Sequence, residues 1–208
     1  MKDDGIEQAS GVLDYWFGAP GSPEHGQRRE IWFKDGRAID AEIRERFLDL
    51  HEKAASGGLD HWRQDPRACL ALILLLDQFP RHMFRDRPRA YATDPKALAT
   101  ATHALDAQFD RDRPLVEVNF FYLPFSHAEQ LAAQHRSVEF RRALPEHKEK
   151  EKSITHAVEH MEVIARFGRF PHRNEILGRE STPEEARFIT EDPDAWFVKY
   201  LKKTETDS

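Results

Sequence analysis

One cysteine stands in the whole chain. Cys69 therefore has no partner for a disulfide and no companions for a thiolate zinc site, and its place inside the apolar run 68–76 makes it a small buried hydrophobe. A reducing, cytoplasmic setting is the natural expectation. Long apolar runs are missing too, because Arg67 and Asp77 bracket the longest one and a bilayer span needs ~20 residues. The first residues lack the basic and then apolar blocks of a secretory leader, carrying Asp3, Asp4 and Glu7 instead, so no export signal is expected. Positive charge is not in excess: the formal net charge is -6, which argues against wholesale binding of nucleic acid or a membrane surface but not against a local basic pocket. No glycine-rich phosphate loop and no Gly-x-Ser-x-Gly nucleophile turn occurs, and nothing in the sequence requires a cofactor.

What the chain does contain is clear helix punctuation. A capping residue followed by proline recurs at Asp65-Pro66, Asp94-Pro95, Thr182-Pro183 and Asp192-Pro193, where proline gives up only an N–H that would lack a helical partner. Ser126 with Glu129 and Thr182 with Glu185 have capping-box spacing. Gly18, Gly57-Gly58, Pro80 and Gly168 close periodic segments. Between these marks apolar residues recur at helical intervals: Ile6, Ala9, Val12, Leu13, Trp16 and Phe17 on one face, Ile39, Ile43, Phe47, Leu50 and Ala54 on a second, Ile154, Ala157, Met161 and Ile164 on a third. The run Leu70 to Leu76 is apolar on every side and reads as a central helix, with a short buried strand as the competing form. Only Val116 to Leu123 could be extended. The expectation is an all-α chain: a single domain over 1–208, about eight stacked helices, a core from about 6 to about 201 and a frayed tail over 204–208.

The chain also echoes itself faintly. Phe79-Pro80-Arg81 leads through Arg85 to Thr93-Asp94-Pro95, and Phe170-Pro171-His172-Arg173 leads through Arg179 to Thr182-Pro183. Each passage ends one helix, turns through a basic loop and begins another, as stacked helical pairs would. Arg81, Arg85, Arg87 and Arg89 gather in the first loop, Arg166, Arg169, Arg173 and Arg179 in the second, beside His82 and His172. Planar guanidinium forks suit carboxylate or phosphate, so two such loops brought together would form an anion site; the alternative is that they cap helix ends and pair with Asp77, Asp86, Asp94, Glu175 and Glu180. His156 and His160 lie four apart beside an apolar arc and are expected to point inward, without the glutamate of a His-Glu-x-x-His metal site. His127 opens the helix capped by Ser126 and shares a face with Leu131, Gln134 and Val138, while Glu129 completes the cap.

Three passages carry a family resemblance: LDQFPRHMFRDRPRAYATD from Leu76, FFYLPFSHAEQLAAQHRSV from Phe120 and RFGRFPHRNEILGRESTPEE from Arg166. With VLDYWFG from Val12 they resemble the bacterial family known as domain of unknown function 924, over about Val12 to about Tyr200. His82 stands where asparagine is expected and Ala128 where serine is expected. The resemblance implies an all-helical, tetratricopeptide-like fold of helical pairs and brings no reaction, substrate or catalytic residue with it.

Two functions from different classes suit this reading. The first is a pocket for a small anionic ligand, phosphate- or carboxylate-bearing, walled by Asp77, Arg81, His127, Gln134, His160, Arg169, His172, Arg173 and Asn174. Used as an enzyme, it would move protons through His127 or His160 while Arg81 and Arg173 hold the anion, with no metal. The second is a helical-repeat module whose arginines read an acidic peptide or partner protein in a groove. Neither nucleic acid nor a membrane is an expected partner, and the oligomeric state is open.

Overall fold

An amphipathic helix gains stability only by burying its apolar stripe against another element. The computed structural model, which describes residues 2–32 and 37–191, meets that demand with helices alone; no strand occurs among the described residues. In chain order they are α1 (Lys2–Phe17), α2 (Arg37–Ala55), α3 (Pro66–Ile73), α4 (Phe79–Met83), α5 (Asp94–Asp106), α6 (Leu115–His127), α7 (Leu131–Ala143), α8 (Lys150–Phe167) and α9 (Pro183–Glu191). Contacts divide the chain into two compact units, residues 1–85 with 89–128, and residues 86–88 with 129–208. None of the helices is long and apolar enough to cross a membrane. The expected start at Asp192-Pro193 and the expected tail lie outside the described residues.

In the first unit α1 packs on α3, α2 on α4, and α5 on both α3 and α6. Every side chain from Cys69 to Leu76 is 0% exposed, so the all-apolar run is the central helix and not a strand. Asp65 caps it, accepting the amides of Arg67 and Ala68 at 2.9 Å. Around it Trp16, Phe17, Phe79 and Phe120 meet edge to face, with ring centroids 5.4 Å apart for Trp16–Phe79 and 5.2 Å for Phe17–Phe120, the arrangement ring quadrupoles favour. Ala9, Val12 and Leu13 are buried on the same face of α1, whereas Ile6 stays 62% exposed, contrary to its place in the apolar pattern. Gly18 ends α1 at φ 87°, and a β-carbon there would meet the Ser22 hydroxyl at 2.8 Å, so both the turn and the space require glycine. Val116 to Leu123 is helical within α6, because its aromatic side chains are buried on more than one face.

Pro80 does not end a helix. The chain runs helically from Pro66 to Met83, with one wide π turn over Leu74–Gln78 between α3 and α4. The cause is local. Proline lacks the N–H that the Leu76 carbonyl would accept from, and its ring crowds that carbonyl; the Phe79 amide reaches back to Leu74 O instead, widening the turn. Leu75 O and Leu76 O are thereby released deep in the core, where an unpaired carbonyl is costly. Two side chains answer them: His51 Nδ1 lies 2.8 Å from Leu75 O, and the Thr93 hydroxyl donates to Leu76 O at 2.6 Å. A carbonyl only accepts, so Nδ1 of His51 carries a hydrogen. Arg81 Nη1 further donates to Asp77 O at 2.5 Å.

In the second unit α7 packs on α8, and Val163, Ile164 and Phe170 form a core flanked by Phe167 and Phe188. Gly168 closes α8 in the left-handed region at φ 68°. Thr182 and Glu185 form the expected capping box, with Glu185 N to Thr182 Oγ1 at 3.2 Å and Thr182 N to Glu185 Oε2 at 2.8 Å. Ser126 and Glu129 do not: Ser126 lies within α6, α7 starts at Leu131, and Glu129 instead accepts the Phe170 amide at 2.8 Å and both guanidinium nitrogens of Arg179 at 2.6 and 2.9 Å. Phe170 N–H and carbonyl are both fixed in this way, since Arg179 also donates to Phe170 O at 3.2 Å.

Two stability outcomes follow. Thr93→Val keeps the shape but strands the Leu76 carbonyl, and is expected to lower unfolding free energy by about 1–3 kcal/mol in urea titrations with an unchanged denaturant slope. Glu129→Ala removes the acceptor for two segments and should cost about 1–3 kcal/mol, whereas Glu42→Ala, breaking the solvent-exposed Arg46–Glu42 pair, should cost less than about 0.5 kcal/mol.

Candidate functional site

The wide turn sets Asp77 facing the end of α6. There its carboxylate meets His127 Nδ1, 2.8 Å from Oδ1 and 3.0 Å from Oδ2, and it accepts from Gln78 Nε2 as well. Arg81, one turn on, lies 3.5 Å from Asp77 Oδ1 and places its fork on Asp94, with Nη1 to Oδ1 at 2.9 Å and Nη2 to Oδ2 at 3.0 Å. The Tyr91 ring lies 5.6 Å from the same guanidinium. Asp94 is the first residue of α5 and Thr93 the cap position; Asp94 therefore does not cap the helix, because its carboxylate is committed to Arg81. His127 ends α6 rather than opening a helix, and Gln134 belongs to α7, so the two do not share a helical face.

Burial grades this cluster. The Asp77 side chain is 1% exposed, while that of His127 in front of it is 19% exposed. Burial raises the Asp77 carboxyl, but the Arg81 guanidinium and His127 more than offset it and hold the group well below the usual carboxylate range. Asp77 is then ionised and can only accept, so His127 Nδ1 must donate, which makes Nε2 the basic nitrogen of the neutral ring. Burial pushes the His127 imidazolium down; Asp77 pulls it up, Arg81 pushes it down again, and the net is a lowered value. A carboxylate that fixes the tautomer of a more accessible imidazole is an acid–base pair in geometry.

A second aspartate–histidine pair lies in the same unit. His82 Nδ1 is 2.8 Å from Asp40 Oδ1, and Arg85 grips that carboxylate at 2.6 and 2.9 Å. The contacts span α2 and α4 and tie them together. Arg89, in the short helical turn Pro88–Tyr91, pairs with Glu52 of α2, so Arg81, Arg85 and Arg89, grouped by the sequence in one basic loop, are each turned to a carboxylate. Cys69 is fully enclosed and its thiol is raised to about 12 by burial, which removes it as a nucleophile.

The remaining expected site residues lie in the second unit. Arg169 grips Glu185 at 2.6 and 2.8 Å, and the Arg169 hydrogen bond holds the Glu185 carboxyl down at about 2. Asn174 donates to Ser181 Oγ at 3.0 Å and to Glu185 at 3.3 Å while accepting from Arg179 at 3.0 Å. Arg173 is 6% exposed and lies 4.5 Å from the Phe170 ring centre. His160 and His172 flank the same ring at 5.7 and 5.5 Å, and Gln134 is 0% exposed. His156 does not point inward: its side chain is 49% exposed and approaches Glu159 at 3.2 Å. His160 is half-buried, with Nδ1 2.7 Å from His156 O. No group of three or more metal-ligating side chains converges among the described residues.

Sequence reasoning placed Asp77, Arg81 and His127 among the site residues but passed over Gln78, Thr93 and His51, which hold the wide turn and its carboxylate. The available signal was Pro80 itself, directly after an all-apolar helix, since a proline there must orphan carbonyls that someone else has to satisfy.

A comparison with curated proteins gives no match. Among solved structures, a protein of unknown function from Agrobacterium tumefaciens is similar, with 41% sequence identity and a TM-score of 0.77 over 89% of this chain and 98% of that one. The family described as bacterial protein of unknown function (DUF924) matches residues 12–193. That match covers the π turn, the Asp77–His127 pair and the Glu129–Arg179 network alike, and the chain belongs to this DUF924 family.

Proposed function

We propose that this protein binds a small anionic ligand, phosphate- or carboxylate-bearing, at the exposed edge of His127, and that His127 exchanges a proton with it. The observation that carries the reading is the graded pair: an ionised aspartate at 1% exposure hydrogen-bonded to a histidine at 19% exposure. The lowered imidazole value keeps the resting ring neutral near neutral pH, ready to accept a proton at Nε2. An anion placed beside the ring favours the imidazolium, so ligand binding and proton uptake reinforce each other. Arg81 supports the pair from behind and is not the anion's anchor, because its fork is spent on Asp94. In an enzymatic cycle, His127 Nε2 would take a proton from the ligand and return it at a later step, with Asp77 stabilising the charged ring.

Calorimetric titration with inorganic phosphate and with acetate, in buffers of different ionisation heat, tests this. Binding accompanied by uptake of a proton near pH 7, with that uptake lost in His127→Gln, is the expected result; the same proton uptake in wild type and His127→Gln would sink the proposal. Asp77→Asn should lower the His127 titration midpoint further, since it removes the carboxylate that favours the charged ring, and two-dimensional NMR of the imidazole reads this directly.

The pH dependence of stability has a definite sign. Folded His127 binds its proton less readily than the unfolded residue, which titrates near ~6.5, so the unfolded chain takes up more protons just below that pH and stability falls as the pH drops through the window. Asp77 acts in the same direction further down: its lowered value stabilises the fold above ~3.9, and this is lost on acidification below it. Thermal unfolding between pH 7.5 and 5 should therefore show a declining midpoint whose slope is reduced in His127→Gln.

A further inference from the structure

The α5–α6 connection holds a second feature, in the first unit and independent of His127. A cleft of about 380 Å3 opens between this loop and the start of α3. Three arginines line it, Arg67, Arg111 and Arg113, against two carboxylates, Asp112 and Glu117. Arg113 and Glu117 close on each other at 2.8 Å, and Arg113 Nε also donates to Phe109 O at 2.6 Å. Arg67 and Arg111 are exposed and enter no ion pair among the described residues, so the lining holds two unpaired arginines against the single carboxylate of Asp112. In a chain with net charge -6 this is a local reversal of sign.

The backbone adds donors at the same place. Pro114 occupies the cap position of α6 and supplies no side-chain cap, and the amides of Glu117 and Val118 turn back to Pro114 O at 2.9 and 3.1 Å. The amides of Leu115 and Val116, at the first two helical positions next to the cleft-lining Pro114, have no carbonyl partner within the helix, and the macrodipole there favours negative charge. Gln108 and Asp112, both lining the cleft, adopt the left-handed conformation at φ 60° and 57°, unusual for residues with side chains and a cost the loop carries to take this shape. Phe109, half-buried, supplies an apolar part of the lining together with Pro66 and Pro114.

We infer that this cleft is a binding site for an organic phosphate monoester, its phosphate held between Arg67, Arg111 and the α6 amides and its carbon portion against Phe109. The volume suits a small molecule, paired guanidinium forks with helix-terminal amides suit a tetrahedral dianion better than a planar carboxylate, and the aromatic wall selects a ligand with a hydrophobic part.

Amide NMR of the full chain, titrated with inorganic phosphate, phenyl phosphate and acetate, tests the assignment. Shifts at Leu115 and Val116 that saturate with phosphate, and with phenyl phosphate at roughly fivefold lower concentration, are expected. The double substitution Arg67→Gln with Arg111→Gln should weaken both by roughly tenfold or more, while His127→Gln leaves them unchanged. Because both arginines are exposed, the double variant should keep its helical circular dichroism and melting temperature, so a loss of binding reads the site and not the fold. Absent shifts at Leu115 and Val116, unaltered binding in the double variant, or an equal response to acetate would each overturn the inference.

Discussion

A proline cannot donate to a helix, and much of the first unit is organised around that deficit at Pro80. An all-apolar helix reaches a residue without an N–H, the turn widens, and buried carbonyls are left over. His51 from α2 and Thr93 before α5 must be in place to receive them, so one local defect fixes the approach of two other elements. The same widened turn delivers Asp77 to the end of α6. Position and chemistry thus share one cause: a π turn costs regular hydrogen bonding and yields an inward carboxylate that a regular helix would have aimed elsewhere.

Charge pairing is the second organising constraint. Arginine forks grip buried or half-buried carboxylates in each unit: Asp94 by Arg81, Asp40 by Arg85, Glu129 by Arg179, Glu185 by Arg169, while Asp77 has the Arg81 charge 3.5 Å away. Bidentate geometry satisfies several lone pairs at once, which is why arginine and not lysine holds these positions. Asp77 and Asp40 differ from the others in that each also meets a histidine, His127 and His82 respectively, and Asp77 is the more deeply buried of the two. Arginine keeps its proton at any ordinary pH, whereas an imidazole can exchange one, so the Asp77–His127 contact can change charge state in the neutral range.

The resemblance read from four short passages and the family match agree, and the all-helical architecture with them. Helix starts at Asp65 and Thr182 and the stop at Gly168 were visible because their capping chemistry is local: the side chain and the amides it satisfies lie within a few residues. The Ser126–Glu129 spacing had the same appearance and a different outcome. Capping boxes compete with any stronger donor that tertiary structure offers, and the Arg179 guanidinium with the Phe170 amide outbids a single serine amide for Glu129. Ile6 went the same way: periodicity places it on the apolar face of α1, but the face extends beyond what the neighbouring helices cover.

The sequence by itself determined the helix starts at Asp65 and Thr182 and the stops at Gly18 and Gly168, which helix is central, and that cysteine chemistry has no part here, because capping, periodicity and composition act over one or two turns of chain. Only the tertiary structure decided which arginine meets which carboxylate, that Pro80 widens a helix instead of ending it, and that His127 closes one helix against Asp77, fifty residues earlier. Ion pairs and orphaned carbonyls are satisfied by whatever the fold brings within hydrogen-bond reach, and that distance is not written in any local pattern of residues.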